Sequence, residues 1–252
     1  MKITKSEIKQ VRSLQQKKFR DELGLFVAEG DKCVEELQKG FELVALYREG
    51  ENATRVEIEQ MSGLQTPQGT IAVFRKPILP LAPSLEERAG GEVILALDGV
   101  QNPGNLGTII RTCDWFGVHD IVCSCDTADC FNPKVVQATM GALTRVRVHY
   151  TDVAEWLASS NSPMEGERPA IYGTLLEGED MYEVLRQSGL SGEAGRVIVM
   201  GNEGNGISEE VRRLVTHPIR IPSYPKGAET SESLNVAIAT AIVLAEFRRI
   251  EK

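Results

Sequence analysis

The pattern of apolar and polar positions changes character about one third of the way along the chain. After residue 92, apolar runs alternate with segments of helical periodicity, and the runs cover residues 93–98, 120–124, 145–150, 170–176, 196–201 and 217–222. Near-continuous Val, Ile and Leu are typical of strands covered on both faces. Strands separated by helices predict an α/β domain with a parallel sheet, whose ligand lies beyond the carboxyl ends of the strands.

The first third of the chain has a mixed pattern, which predicts a small α/β domain. A basic helix over 5–19 is followed by predicted elements at 25–28 (strand), 31–39 (helix), 43–47 (strand), 57–62 (helix) and 70–74 (strand). Three prolines at 77, 80 and 83, followed by Gly90 and Gly91, are typical of a linker. We therefore place a boundary near residue 88 and predict two domains, 1–88 and 89–252.

Composition and charge modify this picture. The 252 residues are 42% apolar and 25% charged, with a net charge of −8, which is ordinary for a soluble globular protein. The longest apolar stretch, 236–245, is about half of the roughly 20 residues that a membrane span needs. An acidic protein argues against a nucleic-acid partner. However, residues 1–20 carry seven basic and one acidic side chain, or +6, so the remainder carries −14. The uneven charge indicates a local interaction surface, and a solvated amphipathic helix is the alternative.

The five cysteines predict free thiols. Their count is odd, and the charged N-terminal segment is not typical of a secretion signal, so we expect the reducing cytoplasm. Cys123, Cys125 and Cys130 lack the paired spacing of zinc sites, and we expect them to pack as small apolar residues rather than to bind metal.

Three unusual loops follow predicted strands, and the first covers residues 97–118. A Gly/Asn/Pro-rich turn leads into a helix that we expect to begin near Asn105, a good N-cap. Arg111 lies off the apolar stripe of this helix, roughly 9 Å along its axis. Because helical side chains lean toward the N-terminus, Arg111 and the helix start predict an anion site. An ordinary surface arginine is the alternative.

The second loop, residues 196–208, has the glycine spacing G-x-x-G-x-G, which differs from the dinucleotide fingerprint G-x-G-x-x-G. Glycines allow a ligand to approach the backbone closely. From composition alone, Glu203 in this turn is either a solvated acid or a binding group.

The third loop lies within residues 219–249 and ends in a helix that is apolar on nearly all faces from Val236 to Ala245. Such a helix is buried on several sides, as at a subunit interface. We expect Ser233 to cap it, whereas capping alone does not explain Asn235 in its first turn.

Together, three segments resemble the motifs of a known family. NPGNLGTIIRTC, VMGNEGNGIS and IP…SLNVAIATAIVLAEF occur in the order of the three motifs of the SpoU/TrmH family of RNA 2′-O-ribose methyltransferases, in the SPOUT superfamily. The resemblance covers about residues 93–250. It includes NPKVVQATMGAL, with Thr139 where we expect Ser. The segments QVRSLQQKKFRDELGLFVAEGDKCVEEL and TPQGTIAVF resemble the ribosomal-protein-like RNA-binding domain that often precedes it.

The resemblance implies a trefoil knot, S-adenosylmethionine as cofactor and a homodimer. It implies cofactor contacts through main chain and small apolar surface, and we assign to this set Gly201, Ile221, Leu234 and Thr174. It implies a catalytic and substrate-binding set of Asn105, Arg111, Glu203, Ser233 and Asn235. The loop between Ile221 and Ser233 is longer than we expect, which leaves contacts by residues 224–232 open.

These observations predict a methyltransferase acting on the ribose 2′-hydroxyl of structured RNA. The two-domain layout favours rRNA over tRNA. The basic first helix is then expected to face the RNA, with contacts from Lys9, Arg12, Lys17 and Lys18. Two alternatives remain open: a non-catalytic RNA-binding module, and a nicotinamide- or flavin-dependent enzyme, which the glycine spacing disfavours.

Overall fold

Two sheets organise the part of the chain that the computed structural model describes, residues 3–84, 92–159, 169–188, 195–225, 231 and 233–250. The first sheet is antiparallel and has three strands; the second is parallel and has six. The expected combination of a small α/β unit and a parallel-sheet α/β domain is confirmed. The predicted boundary near residue 88 falls outside the described residues and stays a prediction.

The antiparallel sheet has the order β1-β3-β2. Its region contains α1 (Lys5–Ser13), α2 (Lys17–Leu23), β1 (Leu25–Glu29), α3 (Asp31–Leu37), β2 (Leu43–Arg48), α4 (Arg55–Met61) and β3 (Thr70–Arg75). The single helix predicted over 5–19 is wrong, since the chain breaks between α1 and α2. The carbonyls of Leu14 and Gln15 accept hydrogen bonds from the guanidinium of Arg20, and Gln16 is extended. The buried side chain of Arg20, just beyond the break, thus interrupts a locally favourable helix.

The parallel sheet has the order β6-β5-β4-β8-β7-β9. Its elements are β4 (Val93–Leu97), α5 (Pro103–Trp115), β5 (Asp120–Cys123), α6 (Pro133–Thr139), a 3-10 turn (Ala142–Thr144), β6 (Arg147–Tyr150), α7 (Val153–Ser159), β7 (Ala170–Asp180), α8 (Met181–Ser188), β8 (Arg196–Met200), α9 (Glu209–Arg212), β9 (His217–Arg220) and α10 (Val236–Ile250). All six predicted strands are present, and every residue of β4 and β8 is buried. The implied trefoil knot stays a prediction.

The strand order reverses at the centre of the parallel sheet. After β4 the chain proceeds to β5 and β6 on one side, whereas β8, β7 and β9 lie on the other. The loops that leave β4 and β8 therefore diverge from adjacent strand ends. In open parallel sheets ligands bind at such a switch point. Residues 98–105 and 201–208 are therefore the candidate ligand-binding loops.

The two sheets share an apolar core. Phe26 of β1 packs on Phe131, which precedes α6, with ring centroids 4.9 Å apart. The proline-rich segment between the sheets is held as well, because Trp156 Nε1 donates to the Pro83 carbonyl at 2.8 Å and the His149 ring lies 3.2 Å from the Pro80 carbonyl oxygen. Within the described part of the chain, no helix is long and apolar enough to cross a membrane.

Candidate active site at the carboxyl edge of the parallel sheet

The loop after β4 is shaped by Asn102. Its carboxamide oxygen accepts from the backbone N–H groups of Gly104 at 2.8 Å and Asn105 at 3.2 Å, so Asn102 is the N-cap of α5 and Pro103 occupies the first helical position. The expectation that Asn105 caps the helix is wrong. Proline at the first position needs no backbone donor and has a helical φ already. The side chain of Asn105 is consequently available for other contacts.

The loop after β8 is closed by the same kind of hydrogen bonds, to the side chain of Asn202. The oxygen of Asn202 accepts from the N–H groups of Gly204 at 2.8 Å and Asn205 at 3.0 Å. Its amide nitrogen donates to the Gly99 carbonyl at 2.6 Å, which ties the two loops together. A Cβ on Gly201 would lie 2.3 Å from the carbonyl carbon of Gly206, so the chain folds back on itself too closely for any side chain there.

The third loop ends at Asn235, which is the residue that caps α10. Its carboxamide oxygen accepts from the N–H groups of Ala237 at 3.0 Å and Ile238 at 3.3 Å. The expectation that Ser233 caps this helix is therefore wrong. Ser233 is exposed, and its carbonyl accepts from the Ser231 hydroxyl at 3.4 Å.

Side chains from the three loops meet in one hydrogen-bonded chain. Asn235 Nδ2 donates to Asn105 Oδ1 at 3.0 Å, and Asn105 Nδ2 donates to Glu203 Oε1 at 2.7 Å. Both hydrogen-bonding ends of the Asn105 carboxamide are thus fixed. The structure brings together three of the five residues assigned to the catalytic set, although they are separated by 98 and 130 positions in sequence.

Arg111 lies on the exposed face of α5, six residues beyond Asn105. The opposite face is buried and includes Ile109, Ile110 and Cys113. Among the described residues, none forms a hydrogen bond or ion pair with the guanidinium of Arg111. Its donors are therefore available to an external anion such as a phosphate.

Of the four residues assigned to the cofactor, Thr174 lies within β7 and Leu234 precedes α10. Gly201 directly follows β8, and the half-buried Ile221 directly follows β9. Leu234 is 49% exposed beside Asn235. The Thr174 hydroxyl donates to the Val199 carbonyl at 3.1 Å, so it also joins β7 to β8. Residues 226–230 and 232 of the long loop lie outside the described residues.

Two further residues that the sequence analysis missed support the loop after β4. The Asp98 carboxylate accepts from the backbone N–H of Ser208 at 2.7 Å, and the Ser124 hydroxyl accepts from the N–H of Gly99 at 2.8 Å. The repeated tetrapeptide Asn-x-Gly-Asn at 102–105 and 202–205 was the available signal for the paired turns. The support from Ser124 had no comparable local signal.

The four basic residues assigned to RNA lie on α1 and α2 and are exposed. Lys17 pairs with Asp21 at 3.2 Å, and the guanidinium of Arg12 donates to the Ser62 carbonyl. Lys9 and Lys18 form no hydrogen bond or ion pair with any described residue. Arg12 is thus tied to a residue 50 positions away, whereas Lys17 pairs within its own helix.

The five cysteines are free, and only Cys125 is exposed. Burial raises the pKa of the Cys33 thiol to about 11 and that of Cys130 to about 12. Among the described residues, no group of three or more His, Cys, Asp or Glu side chains is arranged to hold a metal ion. The packing expected for Cys123 and Cys130 is observed, whereas Cys125 is on the surface.

Comparison with known proteins decides the family. The sequence profile of the SpoU rRNA methylase family matches residues 92–245, and that of the MRM3-like substrate-binding domain matches residues 5–58. The chain belongs to the SpoU rRNA methylase family. The resemblance seen in the three motifs and in the N-terminal segment is thereby confirmed.

Relatives of this SpoU family member align over nearly the whole chain. The 23S rRNA (guanosine(2553)-2′-O)-methyltransferase RlmP of Bacillus subtilis is 30% identical over 258 aligned residues, 96% of each chain. A solved structure from Porphyromonas gingivalis, described as a TrmH-family RNA methyltransferase, is 34% identical with a TM-score of 0.82 and covers 99% of both chains. An rRNA methyltransferase from Sinorhizobium meliloti with bound AdoMet is 29% identical, with a TM-score of 0.81 over 99% of this chain and 97% of the other.

Membership in the SpoU family gives the network at the switch point its context. A methyltransferase must bring a methyl donor and a nucleophile into line. Residues from the three loops that follow β4, β8 and β9 converge here. The individual roles of these residues stay predictions.

Proposed function

We propose that this protein transfers the methyl group of S-adenosylmethionine to the 2′-hydroxyl of a ribose in ribosomal RNA. Arg111, which has no hydrogen-bond or ion-pair partner among the described residues, lies six residues beyond Asn105 on α5. The observation that carries the proposal is the Asn235–Asn105–Glu203 hydrogen-bonded chain. It lies at the switch point of a SpoU-family sheet, and the Bacillus subtilis relative is named for ribose methylation of 23S rRNA.

The residues at the carboxyl edge fit the proposed cofactor. Gly201 presents main chain without a side chain, and Ile221 and Leu234 provide partly exposed apolar surface for an adenosyl group. The Sinorhizobium meliloti neighbour binds this same cofactor. When bound, S-adenosylmethionine supplies the electrophilic methyl group, so the protein has only to position and deprotonate the hydroxyl.

Arg111 is suited to hold a phosphate of the RNA or to orient the 2′-hydroxyl. A guanidinium keeps its proton up to a pKa above roughly 12, which makes it a poor general base. Its planar fork binds phosphate through two parallel hydrogen bonds. Glu203 uses one carboxylate oxygen for Asn105, which leaves its other oxygen as an acceptor for the substrate hydroxyl. Asn235 keeps the Asn105 carboxamide from rotating.

We expect the N-terminal sheet to deliver RNA to this site. The segment after β5, which contains Phe131, contacts β1, and β5 is the parallel neighbour of β4. The N-terminal sheet therefore contacts, through β1, a segment that leaves the parallel sheet at the same edge as the candidate active site. The exposed basic residues of α1 and α2 give it the positive surface that phosphate binding requires.

We further propose a cytoplasmic homodimer. Trp115 at the end of α5 is 85% exposed and Ile238 on α10 is 52% exposed, and α5 packs on α10. Exposed apolar side chains on two adjoining helices favour a second copy of the chain as their cover. Light scattering of the purified protein is expected to give twice the chain mass, and Trp115→Glu is expected to give a monomer.

Labelled S-adenosylmethionine and rRNA from a strain that lacks the gene test the activity. We expect label in the rRNA with wild-type protein, mapped to one ribose, and a labelling rate lower by about 10²-fold or more with Arg111→Ala. Protein that binds the cofactor but labels neither rRNA nor tRNA would contradict the catalytic proposal. Tight, salt-dependent RNA binding without cofactor binding in calorimetry would instead indicate an RNA-binding module.

A further inference from the structure

An ion pair connects the N-terminal sheet region to the parallel-sheet domain, and the side chain of its aspartate is 10% exposed. Arg20 of α2 is 1% exposed, the largest side chain among those fully buried in the described chain. Its Nη2 and Nε donate to Oδ2 of Asp129 at 2.6 and 3.2 Å. The two residues are 109 positions apart, and neither belongs to the candidate active site.

Every part of this pair has a defined partner. Arg20 Nη1 donates to the carbonyls of Leu14 and Gln15 at 2.9 and 3.0 Å, which fixes the turn between the two basic helices. The other oxygen of Asp129 accepts from the backbone N–H of Phe131 at 3.0 Å. The pair therefore defines one orientation of α1 and α2 relative to the segment after β5.

That segment also supports the loop of the candidate active site. The backbone N–H of Ala128, next to Asp129, donates to the Val100 carbonyl at 3.0 Å. Four residues earlier, the Ser124 hydroxyl accepts from the Gly99 N–H at 2.8 Å. The basic helices and the loop that leads to Asn105 are thus both attached to the same nine-residue segment, 124–132.

Stability alone does not account for an ion pair in this position. Taking two charges out of water costs free energy, and replacing a buried ion pair by apolar residues is frequently neutral or stabilising. The best-attested benefit of such pairs is that they select one relative position of the packed elements. The surrounding interface already has apolar contacts such as Phe26 with Phe131. Apolar contacts are not directional, so they permit the two regions to slide past each other. The hydrogen-bonded ion pair is directional and prevents this sliding.

We infer that Arg20 and Asp129 are positioning residues that fix the distance between the RNA-binding helices and the reaction centre, and so select which ribose is methylated. This inference rests on the proposed RNA ribose methylation. RNA bound by α1 and α2 is held at a set displacement from Asn105 and Arg111. Loosening the pair weakens productive RNA binding and spreads methylation over neighbouring nucleotides, while the cofactor site is unaffected.

The test compares Asp129→Asn and Arg20→Lys with wild type in the full chain. Asn has the volume of Asp, but its amide N–H group would face an N–H donor of Arg20 or of Phe131. Lys has a single nitrogen, which cannot reach Asp129 and the carbonyls of Leu14 and Gln15 together. We expect the KM for rRNA to rise at least fivefold, kcat to change less than twofold, and sequencing of 2′-O-methylated positions to show new sites beside the wild-type one. The Kd for S-adenosylmethionine is expected to stay within twofold.

Glu36→Gln is the matched control, since Glu36 and Arg145 form an ion pair between the same two regions, 3.4 Å apart, but with side chains 35% and 45% exposed. We expect it to behave as wild type, because exposed pairs contribute little. Folded variants with a wild-type KM and a single methylated site would overturn the inference. Loss of cofactor affinity in step with activity would also overturn it, since the pair would then merely support the catalytic domain.

A readout independent of activity separates this inference from the proposed function. Small-angle X-ray scattering of wild type is expected to match one rigid particle, and that of Asp129→Asn to show a larger radius of gyration. If wild type methylates no RNA but the variant expands, the proposed function fails while the placement role stands. If both proteins scatter identically, the placement role is overturned.

Discussion

The carboxamide of Asn105 donates to the carboxylate of Glu203 across 2.7 Å, joining loops that leave two neighbouring parallel strands. Asn105→Asp replaces this donor with a second carboxylate, so the two groups repel and the reaction centre opens. Misplacement of catalytic groups by about 1 Å costs on the order of 10²-fold in rate. We expect kcat for methyl transfer to fall by about that factor, measured with saturating cofactor and RNA.

The same substitution at Asn132 is the control for Asn105→Asp. Asn132 caps α6 through its carboxamide oxygen, which accepts from the Lys134 N–H at 2.9 Å, and Asp supplies an equivalent oxygen. Asn132→Asp is expected to keep the wild-type rate. An Asn105→Asp enzyme that is equally active would show that the hydrogen bond to Glu203 has no part in the reaction.

Arg111 is expected to tolerate neither Lys nor Ala. Lys keeps the charge but lacks the planar fork that binds phosphate or a hydroxyl through fixed geometry. Both variants are expected to lower kcat/KM for RNA by about 10²-fold or more, in keeping with the usual contribution of positioning, with cofactor affinity unchanged in calorimetry. Arg213→Ala removes an exposed arginine paired with Glu209 and is expected to be silent. Wild-type activity in Arg111→Lys would argue against both proposed roles.

Salt dependence of RNA binding tests the basic helices. Lys9, Lys17 and Lys18 are changed together to Gln, and Arg12 is kept because it also bonds the Ser62 carbonyl. Each lost phosphate contact is expected to reduce the slope of log K against log salt by roughly 0.7 for single-stranded RNA. Cofactor affinity is expected to be unchanged. The idea fails if the triple variant binds RNA with the wild-type slope.

Gly201 and Gly204 lie in one turn but differ in the space around them. A Cβ at Gly201 would meet backbone atoms of Gly206 and Ile207 at 2.3 and 2.4 Å, whereas at Gly204 the nearest atom is a side-chain oxygen of Asn202 at 3.5 Å. Gly201→Ala is expected to displace the turn and abolish cofactor binding, while Gly204→Ala binds normally. Calorimetric titration of both proteins with S-adenosylmethionine measures the two affinities. Equal affinities would mean that the turn accommodates the added methyl group without affecting cofactor binding.

Alkaline pH is expected to destabilise the fold through buried thiols. Burial raises the pKa of Cys33 from its ordinary 9.0 to about 11, so between these values the unfolded chain has lost a proton that the folded chain keeps. The unfolded state then binds fewer protons, and stability falls as pH rises, by up to about 1.4 kcal/mol per pH unit for each such group. Urea titrations from pH 7.5 to 10.5 measure this. Cys33→Val is expected to reduce the slope and Cys125→Ser, at the exposed thiol, to leave it unchanged.

Sequence reasoning located the strands of the parallel sheet because burial on both faces produces near-continuous apolar runs, as in β4 and β8. It misplaced the N-cap of α5 although Pro103 at the first helical position pointed to Asn102. It merged α1 and α2 into one helix over 5–19 because the break depends on Arg20, whose partner Asp129 is 109 positions away. Periodicity describes neighbours along the chain and contains no information about such pairs.

The same limit applied to the candidate site. The three motifs identified Asn105, Glu203 and Asn235, but their order of contact follows from the strand order, which places β4 beside β8. Local rules assigned capping to Asn105 and Ser233. The structure gives that task to Asn102 and Asn235, because each carboxamide oxygen lies within reach of two free N–H groups.

The paired Asn-x-Gly-Asn turns at 102–105 and 202–205 have a thermodynamic consequence for ligand binding. Each turn is closed by backbone N–H groups that donate to the carboxamide oxygen of its first asparagine. The conformational entropy of the turn is therefore lost when the chain folds and not when a ligand binds. Binding to such preformed loops requires little further ordering. Association at these loops is therefore expected to proceed at a rate set by diffusion and encounter geometry, without a slow isomerisation of the protein before or after it.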